Sequence, residues 1–223
     1  MVKKRTSRDK AVRVKTAKKR KNSSTRWLER QLNDPYVAKA QMEGYRGRAA
    51  FKIKEIDEKI GLFEKGMLVV DLGAAPGGWC QVAAQKGCKV VGLDLLEIDP
   101  LPDVDFVQMD FTDDDAPDVL IKMMDNQKAD VVLSDMGPNT TGHRNTDHLR
   151  IMMLVELAYH FCKDVLKPEG TFIAKVRQGG TQNELLAEMK KDFKTIKHIK
   201  PPASRKESSE TYLVAQGFRG GNA

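Results

Sequence analysis

A chain of 223 residues with 40% hydrophobic content is long enough for one α/β core with short additions. It holds no apolar run approaching the ~18 residues of a membrane span. Its formal net charge of +7 is unevenly placed: eleven Lys/Arg against one acid put residues 1–21 at +10, so residues 22–223 sum to −3.

Residues 1–22 read as a basic arm with little to bury, disordered when free and suited to a polyanion such as nucleic acid. Its start lacks the apolar stretch of a secretory signal. Residues 23–61 read as a helical segment. Asp34-Pro35 pairs an N-cap acid with an N1 proline and predicts a short helix within Ser23–Gly44. From Arg48 to Lys59, Ala49, Ile53, Ile56 and Ile60 make an apolar stripe, Arg48, Lys52, Glu55 and Lys59 fall on another face, and Gly61 closes the helix.

Residues 62–217 alternate strand and helix. The pattern predicts strand Met67–Leu72, helix Gly78–Gln85, strands Lys89–Leu93 and Val104–Met109, helix Ala116–Met124 and strand Ala129–Leu133. A long helix, His148–Leu166, is stopped by Lys167-Pro168-Glu169-Gly170. Strand Thr171–Val176 follows, then a helix opened by the capping box Thr181-Gln-Asn-Glu184, then strands Thr195–Ile199 and Thr211–Gln216. Residues 218–223 read as a flexible tail. The sum is an α/β fold, a single Rossmann-like domain with a seven-stranded mixed sheet and helices on both faces. Cys80, Cys88 and Cys162 are an odd number without metal-ligand spacing, and four scattered histidines form no cluster. A reducing, cytoplasmic setting and a monomer without metal or membrane partner are expected.

The first strand runs into Asp71-Leu72-Gly73-Ala74-Ala75-Pro76-Gly77-Gly78-Trp79, and Gly92-Leu93-Asp94 follows about twenty residues later. A glycine turn with a second acidic strand end is the pattern of a nucleoside-cofactor site. Ala75 breaks the dinucleotide fingerprint, and Gly78-Trp79 stands where a phosphate loop has Gly-Lys-Ser/Thr. A guest with adenosine but no phosphate fits, and S-adenosylmethionine is such a molecule. Asp71, Asp94, Asp110 and Asp135 each fall at or just past a strand end, where open α/β sheets bind ligands. Asp94 is placed for the ribose hydroxyls, Asp110 for the adenine amino group, and Asp71 for the methionine ammonium, directly or through water. After Asp135, the polar segment through Thr140-Thr141-Gly142-His143-Arg144-Asn145 suits substrate contact. His143 is a general-base candidate that equally suits phosphate or solvent.

Five runs carry a resemblance. Tyr45-Arg46-Gly47-Arg48-Ala49-Ala50-Phe51-Lys52, the Asp71–Trp79 turn, Ser134-Asp135-Met-Gly-Pro, Ala174-Lys175-Val176 and Ser204-Arg205-Lys206-Glu207-Ser208-Ser209-Glu210-Thr211-Tyr212 occur in order. Together, over residues 26–217, they closely resemble the FtsJ/RrmJ family of ribose 2′-O-methyltransferases. The resemblance implies an S-adenosylmethionine-dependent methyltransferase domain with Lys52, Asp135, Lys175 and Glu210 as a Lys-Asp-Lys-Glu catalytic tetrad. The cofactor-contacting set is then Asp71, Gly73, Ala74, Pro76, Gly77, Gly78, Trp79, Asp94, Leu95, Asp110, Phe111 and Asp135. RNA contact is expected from Arg46, Arg48, Lys54, Arg205 and Lys206. The family's bacterial branch acts on a uridine of 23S ribosomal RNA, in the aminoacyl-tRNA-contacting loop of the assembled 50S subunit; relatives modify tRNA or cap ribose. Arg177 and the Gly179-Gly180 turn depart from the bacterial pattern, where an aromatic residue and a Gly-Glu pair are usual.

Methylating a ribose hydroxyl asks for such a set, because the hydroxyl is a weak acid whose oxygen must attack the sulfonium methyl in line. Lys175 is the expected partner of the hydroxyl proton. A free lysine, with pKa ~10.4, is a poor base near neutrality. Lys175 therefore either receives the proton or remains an ammonium that stabilises the developing alkoxide. Two rivals share these features: the same chemistry on tRNA, and an RNA-binding assembly factor without essential catalysis.

Overall fold

The computed structural model describes residues 22–138, 142–177 and 183–220. The basic arm, Thr140-Thr141, the Gly179-Gly180 turn, the first half of the Thr181 capping box and the last three residues of the tail lie outside them.

Three helices precede the sheet: α1 (Asn22–Asn33), α2 (Pro35–Glu43) and α3 (Ala50–Ile60). The sequence predicts one short helix before Gly44, and the structure has two, divided at Asp34. Pro35 has no amide hydrogen with which to continue α1, and it sits at the first position of α2. The Asp34 side chain caps α2 by accepting from the Tyr36 N–H at 3.0 Å. In α3 the buried stripe is Ala50, Phe51, Ile53 and Ile56, one residue later at its start than the predicted one. Gly61 ends the helix at φ +63°, in the left-handed region that glycine enters freely.

The sheet contains β1 (Leu68–Leu72), β2 (Lys89–Asp94), β3 (Val104–Gln108), β4 (Ala129–Ser134), β5 (Leu166–Arg177), β6 (Phe193–Ile199) and β7 (Glu210–Phe218). Its order is β3-β2-β1-β4-β5-β7-β6, with β7 antiparallel to both neighbours and the remaining pairs parallel. The helices α4 (Gly78–Gln85), α5 (Ala116–Met123), α6 (Arg144–Val165) and α7 (Asn183–Asp192) connect the strands. All five residues of β1 are buried, because both sheet faces are covered. Val70 and Leu72 pack into a core with Leu120, Val155, Tyr159 and Phe172. Val69, pointing the other way, joins Ile53, Trp79, Val131 and Tyr212.

Two boundaries differ from the predicted ones. α6 begins at Arg144 rather than His148, because its first turn is Arg-Asn-Thr-Asp and carries no apolar periodicity. The Lys167–Gly170 turn signal is an excursion inside β5 rather than a connection before it. Pairing jumps from Ala129↔Leu166 to Val131↔Thr171, and Glu169 takes φ +67° within the excursion. The chain order reverses between β1 and β4, so the crevice for a ligand opens beyond the ends of those two strands.

Candidate active site

β1 runs into Gly73, whose φ is +82°. A Cβ at Gly73 would lie 2.7 Å from the Met136 amide nitrogen, so the close approach of the β1 and β4 ends requires glycine. Beyond these ends lies a cavity of about 350 Å³. Of the expected cofactor set, Gly73, Asp94, Leu95, Asp110 and Phe111 line it; Asp71 and Asp135 do not, although Met136 and Gly137, next after Asp135, form part of its wall. Asp94 accepts from the Ala75 N–H at 2.9 Å and the Leu96 N–H at 2.8 Å, which ties the glycine turn to the end of β2. Asp110 accepts the Thr112 N–H and hydroxyl on one oxygen, at 2.9 and 2.8 Å. Those bonds hold its carboxyl below the usual range and leave the other oxygen available.

Asp71 lies deeper. It is fully buried, Oδ2 accepts the Cys80 thiol proton at 3.1 Å, and Oδ1 has no partner among the described residues. Burial, only partly offset by the Cys80 bond, and the neighbouring Asp135 and Asp94 push its carboxyl up to about 7. A buried acceptor oxygen left unpartnered among three acids suits a cationic guest, so these residues fit a sulfonium cofactor. Ala74, Pro76, Gly77, Gly78 and Trp79 do not line the cavity; they build the turn and fasten it. The Pro76 carbonyl accepts from Arg46 at 3.1 Å, Gly77 caps α4, and Gly78 opens it beside Ala50. Trp79 donates Nε1–H to the Ala49 carbonyl at 2.9 Å, and its ring lies 5.4 Å from that of Tyr212.

Lys52 comes from α3, Asp135 follows β4, Lys175 sits in β5 and Glu210 begins β7. The fold brings all four together. Lys52 Nζ lies 3.3 Å from Glu210 Oε2, and Lys175 Nζ lies 3.3 Å from Asp135 Oδ1 and also donates to the Asp135 carbonyl. Tyr212 joins the two pairs. Its hydroxyl accepts from Lys52 Nζ at 3.0 Å and donates to Asp135 Oδ1 at 3.0 Å. Burial and the surrounding acids raise the Tyr212 phenol well above its ordinary range, so it stays a donor. Tyr212 stands out in the sequence only as the last residue of the Ser204–Tyr212 run. The available signal is its place two residues after Glu210 in a strand, which puts both side chains on one face. A Cβ at Gly137 would lie 2.9 Å from Lys175 Nζ, so the cavity wall and the four polar residues meet at the Asp135–Gly137 segment.

Lys52 and Glu210 also line a second hollow, of about 420 Å³, together with Arg30, Arg48, Arg205 and Ser208. Arg48 and Arg205 converge on Asp34, at 2.8 and 3.3 Å. The other expected RNA contacts lie outside this hollow. Arg46 bridges the carbonyls of Pro76 and Pro100, Lys54 pairs with Glu43 at 3.1 Å, and Lys206 is exposed. His143 is exposed at the cap position of α6. Among the described residues no group of His, Cys, Asp and Glu is placed to hold a metal ion, and no helix is long and apolar enough to cross a membrane.

Residues 45–218 match the FtsJ-like methyltransferase family. The ribosomal RNA large subunit methyltransferase E of Azorhizobium caulinodans is 59% identical, over 94% of this chain and 89% of its own. Its counterpart in Granulibacter bethesdensis is 58% identical, over 95% and 92%. A crystal structure from Plasmodium falciparum, described as that of a ribosomal RNA methyltransferase, shares 32% identity at a TM-score of 0.71. That match covers 79% of this chain and 100% of the other.

Proposed function

This chain belongs to the FtsJ-like methyltransferase family, and from that premise we propose that it methylates the 2′-oxygen of a uridine ribose in 23S ribosomal RNA, in the assembled 50S subunit. The cofactor is S-adenosylmethionine. The observation that carries the reading is the Lys52–Glu210 and Lys175–Asp135 pairs joined through Tyr212, set between a nucleoside-sized cavity and an arginine-lined hollow. The same proposal has the enzyme work in the cytoplasm, where its ribosomal substrate lies, and act as a monomer.

When bound, the cofactor supplies an electrophilic methyl group on a positively charged sulfur. Asp94 and Asp110 would hold the nucleoside half through their remaining lone pairs, and Asp71, buried behind the cavity wall, would act on the cationic amino-acid half from a distance or through water. Lys175, held between the Asp135 carboxylate and carbonyl, meets the 2′-hydroxyl. It orients the proton and stabilises the negative charge that grows on the oxygen. Lys52 and Glu210 face the arginine-lined hollow and hold the target ribose, while Arg48 and Arg205 attract the flanking phosphates. The ribose hydroxyl itself distinguishes RNA from DNA.

Lys175→Ala tests this division of labour. The variant is expected to lose nearly all transfer in a single-turnover assay on 50S subunits while binding S-adenosylhomocysteine as tightly as the parent. Loss of cofactor binding as well would remove Lys175 from the proposed role.

A further inference from the structure

The strand that carries Lys175 has a second cation two residues on. Side chains alternate along β5, and Val176 packs into the core that holds Val155 and Tyr159 of α6. Arg177 therefore leaves the sheet on the opposite face, that of Lys175, about 7 Å further along the strand. The β5–β7 register sets both against the site: Lys175 lies opposite Tyr212, and Arg177 lies opposite Glu210. Side chains opposite each other in an antiparallel pair are neighbours, so Glu210 is the carboxylate that register offers to Arg177. Glu210 turns instead to Lys52, at 3.3 Å. Arg177 is half-buried, and its guanidinium has neither an ion pair nor a hydrogen bond among the described residues. Several cations around the four polar residues are already engaged. Arg48 and Arg205 share Asp34, Arg46 bridges two backbone carbonyls, and Lys54 pairs with Glu43. A partly desolvated guanidinium without a partner is costly, and an arriving anion offsets that cost. Its planar fork matches the two free oxygens of a phosphodiester.

We propose that Arg177 binds the phosphodiester beside the target ribose and so places the 2′-hydroxyl at Lys175. The inference rests on the reading of this site as one for RNA ribose methylation. In RNA the ribose carbon next to the one bearing the 2′-hydroxyl carries a phosphate. A hydroxyl held at Lys175 brings that phosphate toward the next side chain on the same strand face, which is Arg177. The phosphate takes no part in the bonds that form and break, so the contact is the same before and during transfer. It therefore strengthens binding of the substrate and leaves the barrier to transfer unchanged.

Wild type, Arg177→Gln and Arg177→Lys are compared in single-turnover transfer over a range of 50S subunit concentrations, and in subunit binding over a range of salt. Lys190→Gln, which removes an exposed charge of α7, is the control. Arg177→Gln is expected to raise the half-saturating subunit concentration about ten-fold, with a maximal rate within about two-fold of wild type. The slope of log binding constant against log salt should become shallower by about one, the signature of one lost phosphate contact. Arg177→Lys keeps the charge and loses the fork, so it should keep the slope and recover part of the affinity. The control and every S-adenosylhomocysteine affinity should match wild type. A wild-type slope and half-saturation in Arg177→Gln would overturn the proposal, as would an equal change of slope in the control. So would a loss confined to the maximal rate, which would put Arg177 at the reacting oxygen, or a loss of S-adenosylhomocysteine affinity, which would make it a residue of the fold. A wild-type protein that transfers no methyl group to the subunit would overturn the proposed function, and this inference with it.

Discussion

The Tyr212 hydroxyl is buried and spends both its acceptor and its donor capacity inside the site, on Lys52 and Asp135. Tyr212→Phe keeps the ring against Trp79 and removes only that link. The expected result is a single-turnover rate lower by roughly ten- to a hundred-fold with unchanged S-adenosylhomocysteine affinity; an unchanged rate would mean the two charged pairs act independently. Asp71 gives a pH prediction. Its folded-state pKa of about 7 stands above its ordinary carboxylate value, so the folded protein holds more protons than the unfolded chain between the two. Stability therefore falls as pH rises through that window, from about 4 to about 7, and stays lower above it. Asp71→Asn removes this fall. Without ligand, the variant should melt increasingly above wild type between about pH 5 and pH 8, and parallel melting curves would contradict the assignment. At this scale the sequence was most legible where chemistry sits in contiguous motifs: Lys52, Asp135, Lys175 and Glu210 each lie in a recognisable run, and the fold brings them together. Tyr212 was hidden because its role depends on the register that sets it opposite Lys175 in the β5–β7 pair. The distinction between Gly73, which lines the cavity, and Trp79, which fastens the turn, also exists only in three dimensions.

Among the elements, α2 and α3 are tied to the loop before β7 by two carboxylates, Asp34 and Glu55, the latter accepting from the Tyr36 hydroxyl and the Ala203 N–H. Asp34 caps α2 and receives Arg48 from the start of α3 and Arg205 from the loop before β7, with its own side chain only 8% exposed. Asp34→Ala removes the cap and strands two partly buried guanidinium groups, at an expected cost of about 2–4 kcal/mol in denaturant unfolding. Asp34→Asn keeps an accepting cap and removes the charge, so it should recover part of that loss; equal losses would assign the whole effect to the ion pairs. Element existence was legible wherever periodicity or a stop signal was strong, as in β1, α4 and the Gly61 end of α3. It failed where local chemistry conflicts with the fold. The polar first turn of α6 carries no apolar repeat, and the Lys167–Gly170 signal marks a real turn that β5 absorbs as a bulge. The division of α1 from α2 was already written in Asp34-Pro35, since a proline that starts one helix also ends another.

At the scale of the whole molecule, charge separates recognition from chemistry. Residues 1–21 carry +10 while the remainder sums to −3, so the proposed RNA substrate predicts that salt-sensitive attraction is concentrated in the arm. Removing residues 1–21 should weaken RNA binding, most at low salt, and leave S-adenosylhomocysteine affinity untouched; equal RNA affinity in filter binding would refute a role for the arm. On the same proposal the body contributes the specific part, through the arginine-lined hollow beside Lys52 and Glu210. The central claim is the target. It is tested most directly by transfer of labelled methyl groups from S-adenosylmethionine to purified 50S subunits, naked ribosomal RNA and tRNA, all from cells lacking the enzyme, followed by mapping of the labelled nucleotide. The account predicts label on a single 2′-O-methyluridine of 23S ribosomal RNA in the subunit. Label confined to tRNA, or none on any RNA from a protein that binds the cofactor, would contradict it.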